Sequence, residues 1–476
     1  MKLLFLAAEL APHAKVGGLA DVMAALPEAL AAAGHAVSLV VPLHRGLKES
    51  GEFRPTGMEV EVPGVGGVRR ARVWGGERGG VALFALEQDE YFDRAGVYGE
   101  GGVDYADSLE RFVFFSRGAV ELARYVEPTP EVIQVNDWQV GLVPAYVQAL
   151  GLPMKTVCTV HNLAYQGEFS AEDFRKVGLP EGAFRPEGVE FYGKMNWLKG
   201  AIRMADGVTT VSPSYAREIQ EKEQGRGLEE VLRGRGDRVT GILNGIDVVA
   251  WNPATDGCLP KSFKVGSMAG RVECRSALER EMGLEPANGR AIFGMVTRMA
   301  REKGVDLAWG GVKEIVKQGG RLVVLGAGDR AMEEEGRKLA QEYPKSVAVR
   351  VGYDEGLARR IFGGVDFFLM PSRSEPCGLT QMYAMRYGAI PVVGRVGGLR
   401  DTVEEWDGGR ETGTGFLFEP TAEGLAGGVD RALAIWNEPA MMKKVRRNGM
   451  TRDWSWAAAV PAYEKVYQAL VNERGS

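Results

Sequence analysis

The chain has 476 residues, 45% hydrophobic and 25% charged, a composition that excludes a disordered protein and leaves room for two or three domains. Its 58 basic and 63 acidic residues give a net charge of −5 with no long block of either sign, so neither nucleic acid nor an anionic membrane is expected as a main partner. Four scattered cysteines (Cys158, Cys258, Cys274, Cys377) form no CxxC pair, which argues against a zinc or disulfide framework and fits a reducing cytoplasm.

The opening MKLLFLAAELAPHA imitates a secretory signal. Its apolar run, Leu3 to Ala8, is too short for that role, and Glu9 interrupts it. The segment reads as a buried parallel strand. No run of about 18 apolar residues follows anywhere, so no membrane span is expected.

Further strands are predicted at HAVSLVVP, VALFAL, EVIQVND, KTVCTVHN and GVTTVS, then at AIFGMVTR, RLVVLGAG, VAVRVGY, FFLMPS and IPVVG. Continuous Val/Ile/Leu runs without alternation suit parallel strands covered on both faces. Amphipathic segments such as GLADVMAALPEALAAAG, stopped by Gly34, lie between them. GEFRPTGMEVEVPGVGGVRRARVWGG reads as an antiparallel hairpin excursion, and Gly241 to Gly289 as a turn-rich linker with a helix near Val272. The pattern predicts two Rossmann-like doubly wound α/β domains, residues 1–242 and 243–452. A last segment, 453–476, is expected to form an aromatic-rich helix packing back on the first domain.

One octet recurs: KVGGLADV from Lys15 and RVGGLRDT from Arg395, each a basic residue before Gly-Gly and an Asp behind, Asp21 and Asp401. Both are read as glycine turns ending a strand and facing a cleft between the domains, because ligands of such sheets bind at the carboxyl ends of strands. Arg298 and Lys303 of TRMAREKG follow AIFGMV directly, where a guanidinium and an ammonium would suit a diphosphate. RLVVLGAGD carries Ala331 where a dinucleotide fingerprint needs its third glycine, so no nicotinamide cofactor is expected.

In PSRSEPCGLTQMYAMRYG a helix is expected to begin near Gly378, with the amides of Gly378, Leu379 and Thr380 available to an anion. Glu375 cannot bind phosphate, so it must address a neutral or positive neighbour. Asp137, His161, Asn162 and Asn244 stand at polar strand ends or at the domain junction.

In this order and spacing KVGGLADV, HNLAYQG, LNGID, TRMAREKG, GYDE, SRSEPCGLTQ and GGLRDTV resemble the bacterial glycogen synthases and plant starch synthases. The resemblance spans essentially the whole chain. It implies a GT-B fold and a retaining transfer of glucose from ADP-glucose to the non-reducing 4-OH of an α-1,4-glucan such as glycogen, with no cofactor and no metal. The first domain would lie on the acceptor side and the second would take the nucleotide sugar.

Lys15, with Gly17, Gly18 and Asp21, would then belong to the nucleotide-sugar loop. Arg298 and Lys303 would hold the diphosphate, helped by the amides at Leu379 and Thr380, with Cys377 and Gly378 as neighbouring substrate-binding candidates. Tyr353 would stack on the base, while His161, Asn244 and Glu375 would surround the donor glucose, Asp137 would lie near the acceptor, and Asn162 is a further substrate-binding candidate. Val16 replaces the commoner Thr, Ser374 replaces an aromatic residue, and Tyr383 stands where many GT-B transferases keep a second Glu. That last departure favours the synthase branch over its GT-B relatives. A UDP-glucose enzyme, a glucan phosphorylase carrying pyridoxal phosphate and a non-catalytic glucan-binding protein are the competing readings. Oligomeric state is open.

Overall fold

The computed structural model describes residues 1–64, 67–286 and 289–472. The tip of the expected hairpin (65, 66), part of the expected linker (287, 288) and the last residues of the C-terminal segment (473–476) lie outside that range. The chain forms two compact units: residues 1–245 together with those from Trp456 onward, and Ile246–Ser455.

The first unit is built on a nine-stranded sheet. Its strands are β1 (Lys2–Leu6), β2 (Ala36–Pro42), β3 (Arg54–Gly64), β4 (Gly67–Arg78), β5 (Val81–Glu87), β6 (Val132–Asn136), β7 (Lys155–Val160), β8 (Gly207–Thr210) and β9 (Val239–Gly241). They lie in the order β9-β8-β7-β6-β1-β2-β5-β4-β3. All neighbours from β9 to β5 are parallel, and β3 and β4 add an antiparallel hairpin. The excursion read from the sequence is therefore an extension of the main sheet. Strand order reverses between β1 and β6, the kind of switch point where α/β sheets bind ligands.

The apolar run that imitated a signal is β1, buried from Leu3 to Leu6 at the centre of that sheet. Helix α1 (Gly18–Ala32) covers it and ends where Gly34 takes a φ of +92°. The C-terminal helix Trp456–Asn472 buries Trp456, Val460, Tyr463, Tyr467 and Leu470 in the same core as Leu3, Phe5 and Leu26.

In the second unit six parallel strands follow: β10 (Ile292–Val296), β11 (Arg321–Gly326), β12 (Val347–Val351), β13 (Phe367–Met370), β14 (Ile390–Gly394) and β15 (Phe416–Phe418). Their order is β12-β11-β10-β13-β14-β15, with the reversal between β10 and β13. Residues near Val272 form the expected helix, Ala269–Met282, and this stretch belongs to the second unit.

Among the described residues no helix is long and apolar enough to cross a membrane, and no group of His, Cys, Asp and Glu could hold a metal ion.

Candidate active site

In the second unit the loops leaving β10 and β13 meet at the switch point. Lys303 Nζ lies 2.8 Å from each carboxylate oxygen of Glu375, an ion pair across 72 positions of sequence. Glu375 is only 7% exposed, and Ser372 Oγ donates to its Oε2 at 3.1 Å. A carboxylate this buried needs a charge partner and a donor, and it has both. Arg298, on the same loop as Lys303, is exposed and pairs with Glu302.

The two loops are stitched at several points. Arg373 forks onto Asp306 at 2.6 and 2.8 Å, donates to the Arg301 carbonyl at 2.8 Å, and its own amide donates to the Glu302 carbonyl. The Arg373 guanidinium holds the Asp306 carboxyl below its usual range. Gly304, at φ +67°, passes so close to the Pro371 carbonyl that a Cβ there would approach its oxygen to 1.8 Å. The glycine of TRMAREKG is required for contact between the loops, apart from any ligand.

The helix after EPCG starts later than expected. It runs Thr380–Arg386, with Leu379 before it and Gly378 in a left-handed turn at φ +71°, so Gly378 is a turn residue and not a first-turn amide. Cys377 is buried, and Gln381 donates to the Cys377 and Gly378 carbonyls at 3.1 and 2.9 Å, holding the turn from inside. Thr380 Oγ1 reaches Met370 Sδ at 3.4 Å. Tyr353 follows the edge strand β12, two strands from β10, and is 79% exposed, its hydroxyl 3.4 Å from Glu355.

In the first unit the carboxyl ends of β1, β6 and β7 lie side by side and gather most of the residues singled out there. Asp137 follows β6 at φ +61°, a costly backbone for a residue other than glycine. Its Oδ1 accepts the His161 amide at 2.7 Å. Burial pushes its pKa up to about 7, with Glu9 adding to the rise while the backbone amides of His161 and Asn162 oppose it. His161 Nε2 meets Asn136 Oδ1 at 2.9 Å, and Asn136 in turn donates to the Leu6 carbonyl at 3.0 Å. Burial depresses the imidazole to about 3, so His161 is neutral at physiological pH. Asn162 Oδ1 accepts the Ala164 amide at 3.0 Å and shapes the loop. Asn244 follows β9, two strands from β7; it is buried, and its Oδ1 has no hydrogen-bond partner among the described residues.

The first glycine loop is organised by a residue that sequence reasoning treated only as an interruption. Glu9, 4% exposed, accepts the amides of Val16 and Gly17 through Oε2 at 2.8 and 3.0 Å, and the Tyr98 hydroxyl through Oε1 at 2.7 Å. Gly18 then begins helix α1, and Lys15 pairs with Asp21 at 2.7 Å.

The repeated octets thus share a place between strand and helix but differ in use. In the second, Gly398 donates to the Glu375 carbonyl at 3.0 Å, and a Cβ on it would meet the Cys377 carbonyl at 2.2 Å. Gly398 thus braces the Glu375 loop, and Arg395 of the same octet lies 3.4 Å from Glu419.

Two family models match the chain. Residues 2–234 match the model of the starch synthase catalytic domain, and residues 281–449 that of the glycosyl transferases group 1. A glycogen synthase of Anaeromyxobacter dehalogenans strain 2CP-C is 42% identical over 480 residues, covering 99% of this chain and 100% of that one. The glycogen synthase of Myxococcus xanthus strain DK1622 is also 42% identical, with the same shares covered. The chain belongs to the glycogen synthase family.

The catalytic domain of starch synthase IV from Arabidopsis thaliana, solved bound to ADP and acarbose, superposes with a TM-score of 0.90 at 34% identity and 99% coverage of each chain. A sucrose-phosphate synthase from Thermosynechococcus elongatus, at 19% identity and a TM-score of 0.63, shares the fold alone. Membership makes the protein a glycosyltransferase of GT-B fold, as the motifs led one to expect, and it removes the non-catalytic reading. Within this glycogen synthase relative, Glu9, Asn136 and the Arg373–Asp306 pair are the supports the motifs did not reveal. A buried acid inside an apolar run was the available signal for Glu9.

Proposed function

We propose that the protein transfers glucose from ADP-glucose to the non-reducing 4-OH of an α-1,4-glucan, with retention of configuration. The observation that carries this reading is the Lys303–Glu375 pair at the switch point of the second sheet. Glycoside hydrolysis needs two carboxylates flanking the scissile bond, about 5–9.5 Å apart. One carboxylate braced by a cation suits a leaving diphosphate instead.

In this reading Arg298 and Lys303 neutralise the diphosphate, helped by the amides of Leu379 and Thr380. Arrival of the anion draws Lys303 away from Glu375, and the freed carboxylate then faces the positive charge that develops at the anomeric carbon. The bond from that carbon to phosphate breaks as the bond to the acceptor oxygen forms on the same face. The departing phosphate oxygen takes the hydroxyl proton, so no second side-chain base is needed. From the first unit, Lys15 and its loop serve the donor, neutral His161 and Asn162 with Asn244 bond sugar hydroxyls, and Asp137 serves the acceptor.

Tyr353 supplies a flat exposed ring for the base, where stacking is worth ~1–3 kcal/mol with little discrimination between bases. The larger purine face and the ADP bound in the Arabidopsis relative favour the adenine nucleotide.

Nucleoside diphosphate release with glycogen as acceptor tests the reading. kcat/KM for ADP-glucose should exceed that for UDP-glucose at least tenfold, or about 1.4 kcal/mol, and Lys303→Ala should abolish most of the release. Equal rates would remove the donor assignment alone. No release from either donor would remove the reaction.

A further inference from the structure

The loop that leaves β7 after His161 and Asn162 carries a small three-stranded sheet of Glu168–Ser170, Lys194–Asn196 and Glu190–Phe191. Phe191 pairs with Lys194, so Tyr192 and Gly193 form the two-residue turn between them. Both have positive φ, +47° and +77°. A two-residue hairpin loop with both centres left-handed favours Asn-Gly or Gly-Gly, because an ordinary side chain at its first position is strained. Among the described residues Tyr192 is the most exposed of the large hydrophobic side chains, at 89%. The chain thus places an aromatic ring in solvent at a position where turn chemistry would prefer Asn.

The surroundings hold this turn rigidly. Lys199, almost fully buried, donates its ammonium protons to the carbonyls of Pro186, Gly188 and Glu190, the latter two at 2.8 and 2.7 Å. Glu190 Oε1 accepts the Gly193 amide at 2.8 Å. Asn196 donates to Gln166 Oε1 at 2.6 Å, and the amides of Trp197 and Leu198 donate to the Gly167 and Gln166 carbonyls. The hairpin is therefore fastened to the same loop that begins with His161. A buried ammonium spent on three carbonyls to fix a strained, exposed aromatic points to function in the aromatic residue.

We propose that Tyr192 is a contact for the α-glucan acceptor chain, a stacking platform for a glucosyl ring outside the reacting residues. A pyranose offers an apolar face of C–H groups, and a tyrosine offers a large amphipathic surface at small entropic cost. The proposal rests on the reading of the protein as a glucan-extending transferase.

Three measurements on the full-length protein test it: retardation in glycogen-containing native gels, transfer to a short maltooligosaccharide, and thermal unfolding. Tyr192→Asn should bind glycogen at least fivefold more weakly, transfer normally to the short acceptor, and melt at the same or a higher temperature, because Asn suits the turn. Tyr192→Phe should bind as wild type. Unchanged glycogen affinity in Tyr192→Asn would overturn the proposal. So would a shift in oligomeric state with no loss of affinity, which would assign the ring to a second copy of the chain. If wild type transfers glucose to neither acceptor, the functional reading fails first, and the two failures are told apart.

Discussion

Asp137 is held at φ +61° by amides that would favour its charged form, in surroundings that favour the neutral one. Burial is the larger effect, so the folded carboxyl titrates near 7, whereas an unfolded one titrates near 4. Between those values the native state holds a proton that the unfolded chain has lost. Stability attributable to this group therefore falls as pH rises from about 4 to 7 and is level above that. His161 and His44, both depressed by burial, act in the opposite direction as pH drops below their unfolded value. The contribution of Asp137 is consequently isolated as a difference between variants. Urea midpoints of Asp137→Asn minus wild type should grow steadily from pH 4 to 7 and then level off. A difference independent of pH would mean that the carboxyl is ionised throughout.

At the scale of loops and strands, most of the fold was legible because long apolar runs leave a parallel strand few alternatives. Val239–Gly241 and Phe416–Phe418 escaped, since three residues give no periodicity to read and only a neighbouring strand makes them β. The site was legible residue by residue but not as pairs. Lys303 and Glu375 were each read as facing a different part of a ligand, and nothing in local sequence says that they face each other.

What brings them together is the stitching between the loops, with Arg373 on Asp306 at its centre. That pair is partly exposed, so its contribution to stability should stay within about 1 kcal/mol. Its contribution to alignment should be larger, because small misplacements of catalytic groups can cost up to ~10²-fold in rate. Arg373→Ala is expected to lower kcat roughly tenfold or more with little change in melting temperature. Arg373→Lys should recover only part, lacking the fork. Asp306→Ala should match Arg373→Ala, and the double variant should be no worse than either. Additive losses would show that the two residues act separately.

At the scale of the molecule, the chain leaves the first unit after Gly245 and returns to it at Trp456. The returning helix is part of that unit's core. Tyr463 and Tyr467 are buried almost completely, Leu470 packs on Gly207, the first residue of β8, and the Tyr467 hydroxyl bonds Gln134 on β6. Burial raises the Tyr467 phenol well above its usual range, so the ring remains a neutral hydrogen-bonding hydrophobe at any working pH. Deleting such a ring removes its transfer energy and leaves a cavity, which together cost about 3–5 kcal/mol, and it strands the Gln134 amide as well. Ile246–Ser455 has a core of its own around Phe293, Val324 and Leu369. Tyr467→Ala should therefore lower the unfolding transition of the first unit and leave that of the second in place, splitting the calorimetric trace. Tyr467→Phe should cost much less, since it keeps the ring and loses one hydrogen bond. A single transition shifted as a whole by Tyr467→Ala would mean that the two units unfold cooperatively as one.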